Sequence, residues 1–97
     1  MISKNIDKKF FNIGFAKIYE SKYNVIYERF IMSENYYQCI ELEYRRSRNH
    51  LIYSYEKDTN AEGFNNCVGL TAYEIKLCFK KIKQMGWKLK YKKEVYK

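Results

Sequence analysis

The stretch from Thr71 to Gly86 constrains this chain more than any other, because it carries a full set of helix signals. Thr71 suits an N-cap, and Glu74 three residues later completes a capping box. In that motif two side chains satisfy backbone donors that a first helical turn leaves free. Leu70 and Ile75 stand at the positions of a hydrophobic staple. Ile75, Cys78, Phe79, Ile82 and Met85 recur at helical spacing and form the expected core-facing stripe. That assignment places Tyr73 and Leu77 on the side away from the core. Gly86 supplies the left-handed residue that stops a helix, and the lysines before it suit the helix dipole.

Before this helix the period is two. Phe11, Ile13 and Phe15 alternate with Asn12, Gly14 and Ala16. The run over 25–32 is rich in β-branched and aromatic residues, and 21–24 before it has turn composition. Ile40, Leu42 and Tyr44 alternate with Glu41, Glu43 and Arg45, which predicts a strand with one apolar and one charged face. Leu51, Tyr53 and Tyr55 repeat the pattern against Ile52, Ser54 and Glu56, with a hairpin loop over 46–49 between the two strands. Residues 57–70 read as a loop that crosses onto the sheet face. After Gly86 the period returns to two. Trp87, Leu89 and Tyr91 face one way, and Lys88, Lys90 and Lys92 the other. The expected fold is α+β: a four-stranded antiparallel meander, one amphipathic helix and a short C-terminal strand, in the order β-β-β-β-α-β. At 97 residues this is a single compact domain over 1–97. Its eleven Tyr, six Phe and one Trp can supply a core in a chain poor in Leu.

Charge is the second constraint. The formal net charge is +8. Residues 80–97 hold eight lysines against Glu94 alone, a net +7, while the other 79 residues sum to +1. An A+T-rich coding sequence accounts for some excess of Lys, Asn, Ile and Tyr, but not for this clustering. A concentrated positive field attracts polyanions. On the helix, Lys76, Lys80 and Lys83 form a stripe, with Tyr73 and Leu77 beside it as a candidate partner-binding pair; a solvated face is the bland alternative. On the last strand, Lys88, Lys90, Lys92 and Lys93 could line a phosphate track, or simply keep an edge strand from pairing. Trp87 and Tyr91 could act as base platforms there, although their alternation favours the core. Arg45, Arg46 and Arg48 form a third basic group, suited to bidentate phosphate contacts. The alternative is a polar turn that offsets Glu41, Glu43 and Glu56.

Chemistry beyond binding finds little support. Cys39, Cys67, Cys78 and His50 lack the close spacing of a zinc site, and buried free thiols are the simpler reading. No disulfide framework is evident. His50 has no third group positioned by the sequence to form a catalytic set. No phosphate-cradling glycine loop, nucleophile elbow or metalloprotease motif occurs. No cofactor or metal is expected. Met1–Phe11 lacks an apolar run of signal-peptide length, and no stretch is long enough to span a membrane. These features suggest a cytoplasmic protein, monomer or homodimer. The expected function is non-enzymatic nucleic-acid binding through the C-terminal lysines, with low sequence specificity. The alternative is an inhibitor or adaptor of the kind phages and mobile elements encode, similar in role to anti-CRISPR proteins, that docks on a host protein or an acidic protein surface.

Overall fold

The computed structural model describes residues 5–45, 49–57 and 66–87. Six elements follow in order: α1 (Asn5–Asn12), β1 (Ala16–Glu20), β2 (Asn24–Ile31), β3 (Tyr36–Arg45), β4 (Asn49–Lys57) and α2 (Ala72–Gln84). The four strands form one antiparallel sheet in sequential order, so the expected meander and the α+β class are observed. Both helices contribute to the one apolar core over a single face of the sheet. Ile6 and Phe10 from α1 and Leu77, Cys78 and Ile82 from α2 join Val25, Tyr27, Ile40 and Leu42 of the strands. The Phe10 ring stacks on Tyr27 at 3.9 Å.

The first helix corrects the sequence reading. Phe11, Ile13 and Phe15 were expected on a strand, but residues 5–12 are helical. Ile6 and Phe10 stand four apart, so one turn of helix buries both, while Phe11 is left outside. The helix ends in a Schellman motif. The Phe15 N–H donates to the Phe10 carbonyl at 2.9 Å and the Gly14 N–H to the Phe11 carbonyl at 2.9 Å. Gly14 takes φ +96°, and a Cβ there would meet Cδ of Arg29 at 2.9 Å. Glycine therefore serves both the left-handed turn and the close approach.

Strand pairing sets which residues face the helices. Val25 pairs with Leu42 and Tyr27 with Ile40; Leu42 in turn pairs with Ile52, and Ile40 with Ser54. Residues directly opposite share a face. Ile40, Leu42 and Tyr44 thus face inward as expected. On β4 the expectation was one residue out of phase, because Ile52 and Ser54 face the core while Leu51, Tyr53 and Tyr55 face away. The register shifts between Lys17 and Tyr19 in β1, leaving Lys17 opposite Tyr27 and Glu20 opposite Val25. Strict alternation would send Lys17 and Glu20 to opposite faces. The bulge turns both toward the helices.

The α2 capping box is present as expected. Thr71 Oγ1 accepts from the Glu74 N–H at 3.1 Å, and Glu74 Oε1 accepts from the Thr71 N–H at 2.9 Å. Gly86, at φ +74°, stops the helix. The buried stripe is rotated from the expected one. Glu74, Leu77, Cys78, Lys81 and Ile82 are buried, whereas Ile75 and Phe79 are exposed. Arg29 pairs with Glu74, and Asp7 and Glu20 pair with Lys81, at the margin of the core; with these two side chains turned inward, Phe79 lies outside. Residues 66–68 run beside β4, where the Glu56 N–H donates to the Asn66 carbonyl at 2.8 Å and the Val68 N–H to the Ser54 carbonyl at 3.0 Å. Trp87 is buried as expected, its Nε1 donating to the Lys22 carbonyl at 2.8 Å. The proposed fifth strand over 88–92 and most of the 57–70 loop lie outside the described residues. No helix among the described residues is long and apolar enough to cross a membrane.

Candidate polyanion-binding face

The acids of the two helices determine what the helical layer shows to solvent. Only Asp7 in α1 and Glu74 in α2 are acidic, and both turn inward. Glu74 Oε2 accepts from the Arg29 guanidinium at 3.1 Å while its other oxygen holds the cap. Arg29 also donates to Gln38 Oε1 at 2.8 Å and to the Ile13 carbonyl at 3.0 Å. Its guanidinium lies 4.1 Å from the Phe15 ring centroid. Gln38 continues the chain of bonds to Ser54 Oγ at 3.1 Å.

A second cluster surrounds Asp7. Tyr27 Oη donates to Asp7 Oδ1 at 2.6 Å and Lys17 Nζ to Asp7 Oδ2 at 2.8 Å. Lys81 Nζ lies 3.1 Å from Asp7 and 3.2 Å from Glu20, and Lys17 bonds Glu20 at 2.8 Å. Two carboxylates therefore balance two ammonium groups, which permits Lys81 to sit at 3% exposure. Burial alone would raise the Asp7 pKa, but hydrogen bonds from Lys17, Tyr27 and Lys81 outweigh it and hold the carboxyl below its usual value. The bond from Lys17 lowers Glu20 against the pull of burial. Desolvation, then the hydrogen bond to Asp7, drives the Tyr27 phenol well above its ordinary value, so it stays a hydrogen-bond donor.

With both acids engaged by basic partners, the charged side chains that the described helical residues leave unpaired are lysines. Lys8 on α1 and Lys76, Lys80 and Lys83 on α2 are exposed, with Lys9 beside them half-buried. Among the described residues none of these five pairs with a carboxylate, while Lys17, Arg29, Arg45, Lys57 and Lys81 all do. Lys9 and then Lys76 crowd Lys80, and their charges, with some desolvation, pull its ammonium below the ordinary lysine pKa. Crowded, unpaired ammonium groups are the condition under which an anion gains most on arrival. The stripe of Lys76, Lys80 and Lys83 stands where the sequence placed it. Lys8 and Lys9 were missed because no helix was expected over residues 5–12.

The other proposed residues separate. Tyr73 lies on the outer face at 49% exposure, but Leu77 is 1% exposed and belongs to the core, so the Tyr73–Leu77 docking pair is not formed. Phe79, assigned to the core from its spacing, is instead 61% exposed. Arg45 lies on the sheet face opposite the helices, its Nε 3.0 Å from Glu43; it adds nothing to the lysine face. Arg46, Arg48, Lys88, Lys90, Lys92 and Lys93 lie outside the described residues.

The uncovered sheet face has a different character. Tyr19, Phe30, Tyr37 and Tyr53 are exposed there, interspersed with Glu28, Glu41 and Glu43. Glu28 pairs with Lys57 at 3.2 Å, and Glu41 accepts from Asn24 at 2.8 Å. As for metal chemistry, no three His, Cys, Asp or Glu side chains converge among the described residues. Burial pushes the Cys78 thiol up to about 12, which keeps it protonated and inert at neutral pH. No protein-family model, curated protein or solved structure matches the chain.

Proposed function

We propose that the protein is a small, non-enzymatic nucleic-acid-binding protein whose helical face contacts backbone phosphates. One observation carries the reading: both helix carboxylates are engaged by basic side chains of the fold, Glu74 by Arg29 and Asp7 by Lys17 and Lys81, while Lys8, Lys9, Lys76, Lys80 and Lys83 are left without acidic partners among the described residues. Lys88, Lys90, Lys92 and Lys93, which lie outside the described residues, would add phosphate contacts of the same kind. Binding would proceed by release of condensed counterions, so affinity should fall steeply with salt. In fluorescence anisotropy across a salt series, the Lys76→Glu/Lys80→Glu variant should bind about tenfold or more weakly and with a shallower slope. Absence of wild-type binding at low salt would overturn the reading.

A second reading, an inhibitor or adaptor that docks on a host protein, draws its support from the uncovered aromatic sheet face. Phe30 and Tyr37 stand 4.9 Å apart there, and paired rings make good interface anchors. The same lysine variant separates the two readings, because a function exercised through the sheet face survives it.

A further inference from the structure

Among the described residues, exposed rings occur on several surfaces; Tyr23 has Lys22 beside it in the turn between β1 and β2, but α2 is where two exposed rings lie among several unpaired lysines. On the sheet face, Phe30, Tyr37 and Tyr53 share their surface with Glu28, Glu41 and Glu43, and the cations there, Lys57 and Arg45, are already paired with Glu28 and Glu43. On α2, by contrast, Tyr73, Lys76 and Phe79 follow one another at intervals of three residues, with Lys80 and Lys83 completing the face. Residues three or four apart on a helix are neighbours. Lys76 is therefore flanked by both rings, and Phe79 by Lys76 and Lys83. The two rings stand about 9 Å apart along the helix axis.

Resting on the nucleic-acid reading above, we infer that the outer face of α2 binds single-stranded nucleic acid, with Tyr73 and Phe79 stacking on unpaired bases and Lys9, Lys76, Lys80 and Lys83 holding the phosphates between them. A duplex cannot use such a face well. Its base faces are stacked away and offer only edges, which are read by Asn, Gln, Arg or Lys rather than by rings. The exposed positions of α2 are Ala72, Tyr73, Ile75, Lys76, Phe79, Lys80 and Lys83; on a duplex its lysines could meet phosphates or a guanine edge, but its two rings would find no open base face. Every unpaired base has a π-face, so rings set among lysines bind single strands with little regard to sequence. This also accounts for a phenylalanine left 61% exposed on a helix whose other flank is well packed.

The test is fluorescence anisotropy of the full chain with labelled oligo(dT), oligo(rU) and a duplex of equal length. The wild type should prefer a single strand, and the ranking of the first two ligands tells DNA from RNA. The Tyr73→Ala/Phe79→Ala variant should lose about tenfold or more in single-strand affinity, with duplex affinity changed by less than about twofold. The Tyr73→Phe/Phe79→Tyr variant, which keeps both rings, should retain single-strand binding. Unchanged single-strand affinity in the alanine variant, equal loss on both ligand types, or a wild-type preference for duplex would each overturn the inference while leaving general nucleic-acid binding standing. No binding of any of the three by the wild type would overturn that broader reading as well.

Discussion

Glu74 shows how one side chain can hold two levels of the structure at once. One oxygen closes the capping box on Thr71, and the other meets Arg29 of β2. The first bond is local to the helix start, and the second fixes that start onto the sheet. The two can be separated by substitution. Glu74→Gln keeps an acceptor for the Thr71 N–H but loses the charge opposite Arg29, while Glu74→Ala loses both. Chemical denaturation should find Glu74→Ala less stable than wild type by about 2–4 kcal/mol, with Glu74→Gln in between. Equal losses would mean that the cap contributes nothing beyond the ion pair. Leu77 shows the converse, a residue with one role where two were open. Its spacing suited an outer position beside Tyr73, but the inward pull of Glu74 and Lys81 rotates the helix and commits Leu77 to the core.

Among the elements, the two helix ends make a matched comparison. Gly14 and Gly86 both take positive φ, but only at Gly14 would a Cβ collide, with Arg29 Cδ at 2.9 Å. Arg29 cannot yield cheaply, since hydrogen bonds to Ile13, Gln38 and Glu74 and the ring of Phe15 hold it. Gly86→Ala should cost about 1–2 kcal/mol for the left-handed backbone alone. Gly14→Ala should cost measurably more by the same denaturation assay; equal costs would show that Arg29 moves aside. Gly14 also shows where the sequence was legible and where it was not. The helix stop at Gly86 was readable because a long 3.6-residue pattern precedes it. At Gly14 the preceding helix is only eight residues long, and alternating Phe11, Ile13 and Phe15 imitates a strand across the turn. The strand order, the α2 cap and the inner face of β3 were all readable from period and turn composition. The phase of β4 was not, because Leu51, Ile52, Tyr53 and Tyr55 offer apolar groups to either face and only pairing with Leu42 and Ile40 decides. The candidate site was half legible: Lys76, Lys80 and Lys83 follow from helical spacing, but Lys8 and Lys9 lie on a helix that was not expected, and the exposure of Phe79 depends on Glu74 and Lys81 finding partners on the inner side.

For the molecule as a whole, the Asp7 cluster joins α1, β1, β2 and α2 through charge. Its pH dependence has a definite sign. The Asp7 carboxyl is held below its ordinary value of 3.8 and that of Glu20 below 4.5. Their stabilisation is therefore complete above those ordinary values and is lost as pH falls through the lower folded ones. Asp7→Asn should lower the melting temperature at neutral pH, and the gap to wild type should start to close as the pH drops below about 3.8 and vanish once it has fallen through the lower value at which native Asp7 takes up its proton. A gap that persists undiminished into acid would mean that the charge of Asp7 is not what binds the four elements together.

Trp87 carries a practical consequence. It is the chain's single tryptophan, buried just beyond α2, with Tyr44 stacked 5.9 Å away and its indole bonded to the turn between β1 and β2. It sits apart from the exposed helix positions that hold Lys76, Phe79 and Lys80. Its intrinsic emission is thus an optical gauge of whether the end of α2 stays seated on the sheet, read in the same cuvette as any titration of the outer face.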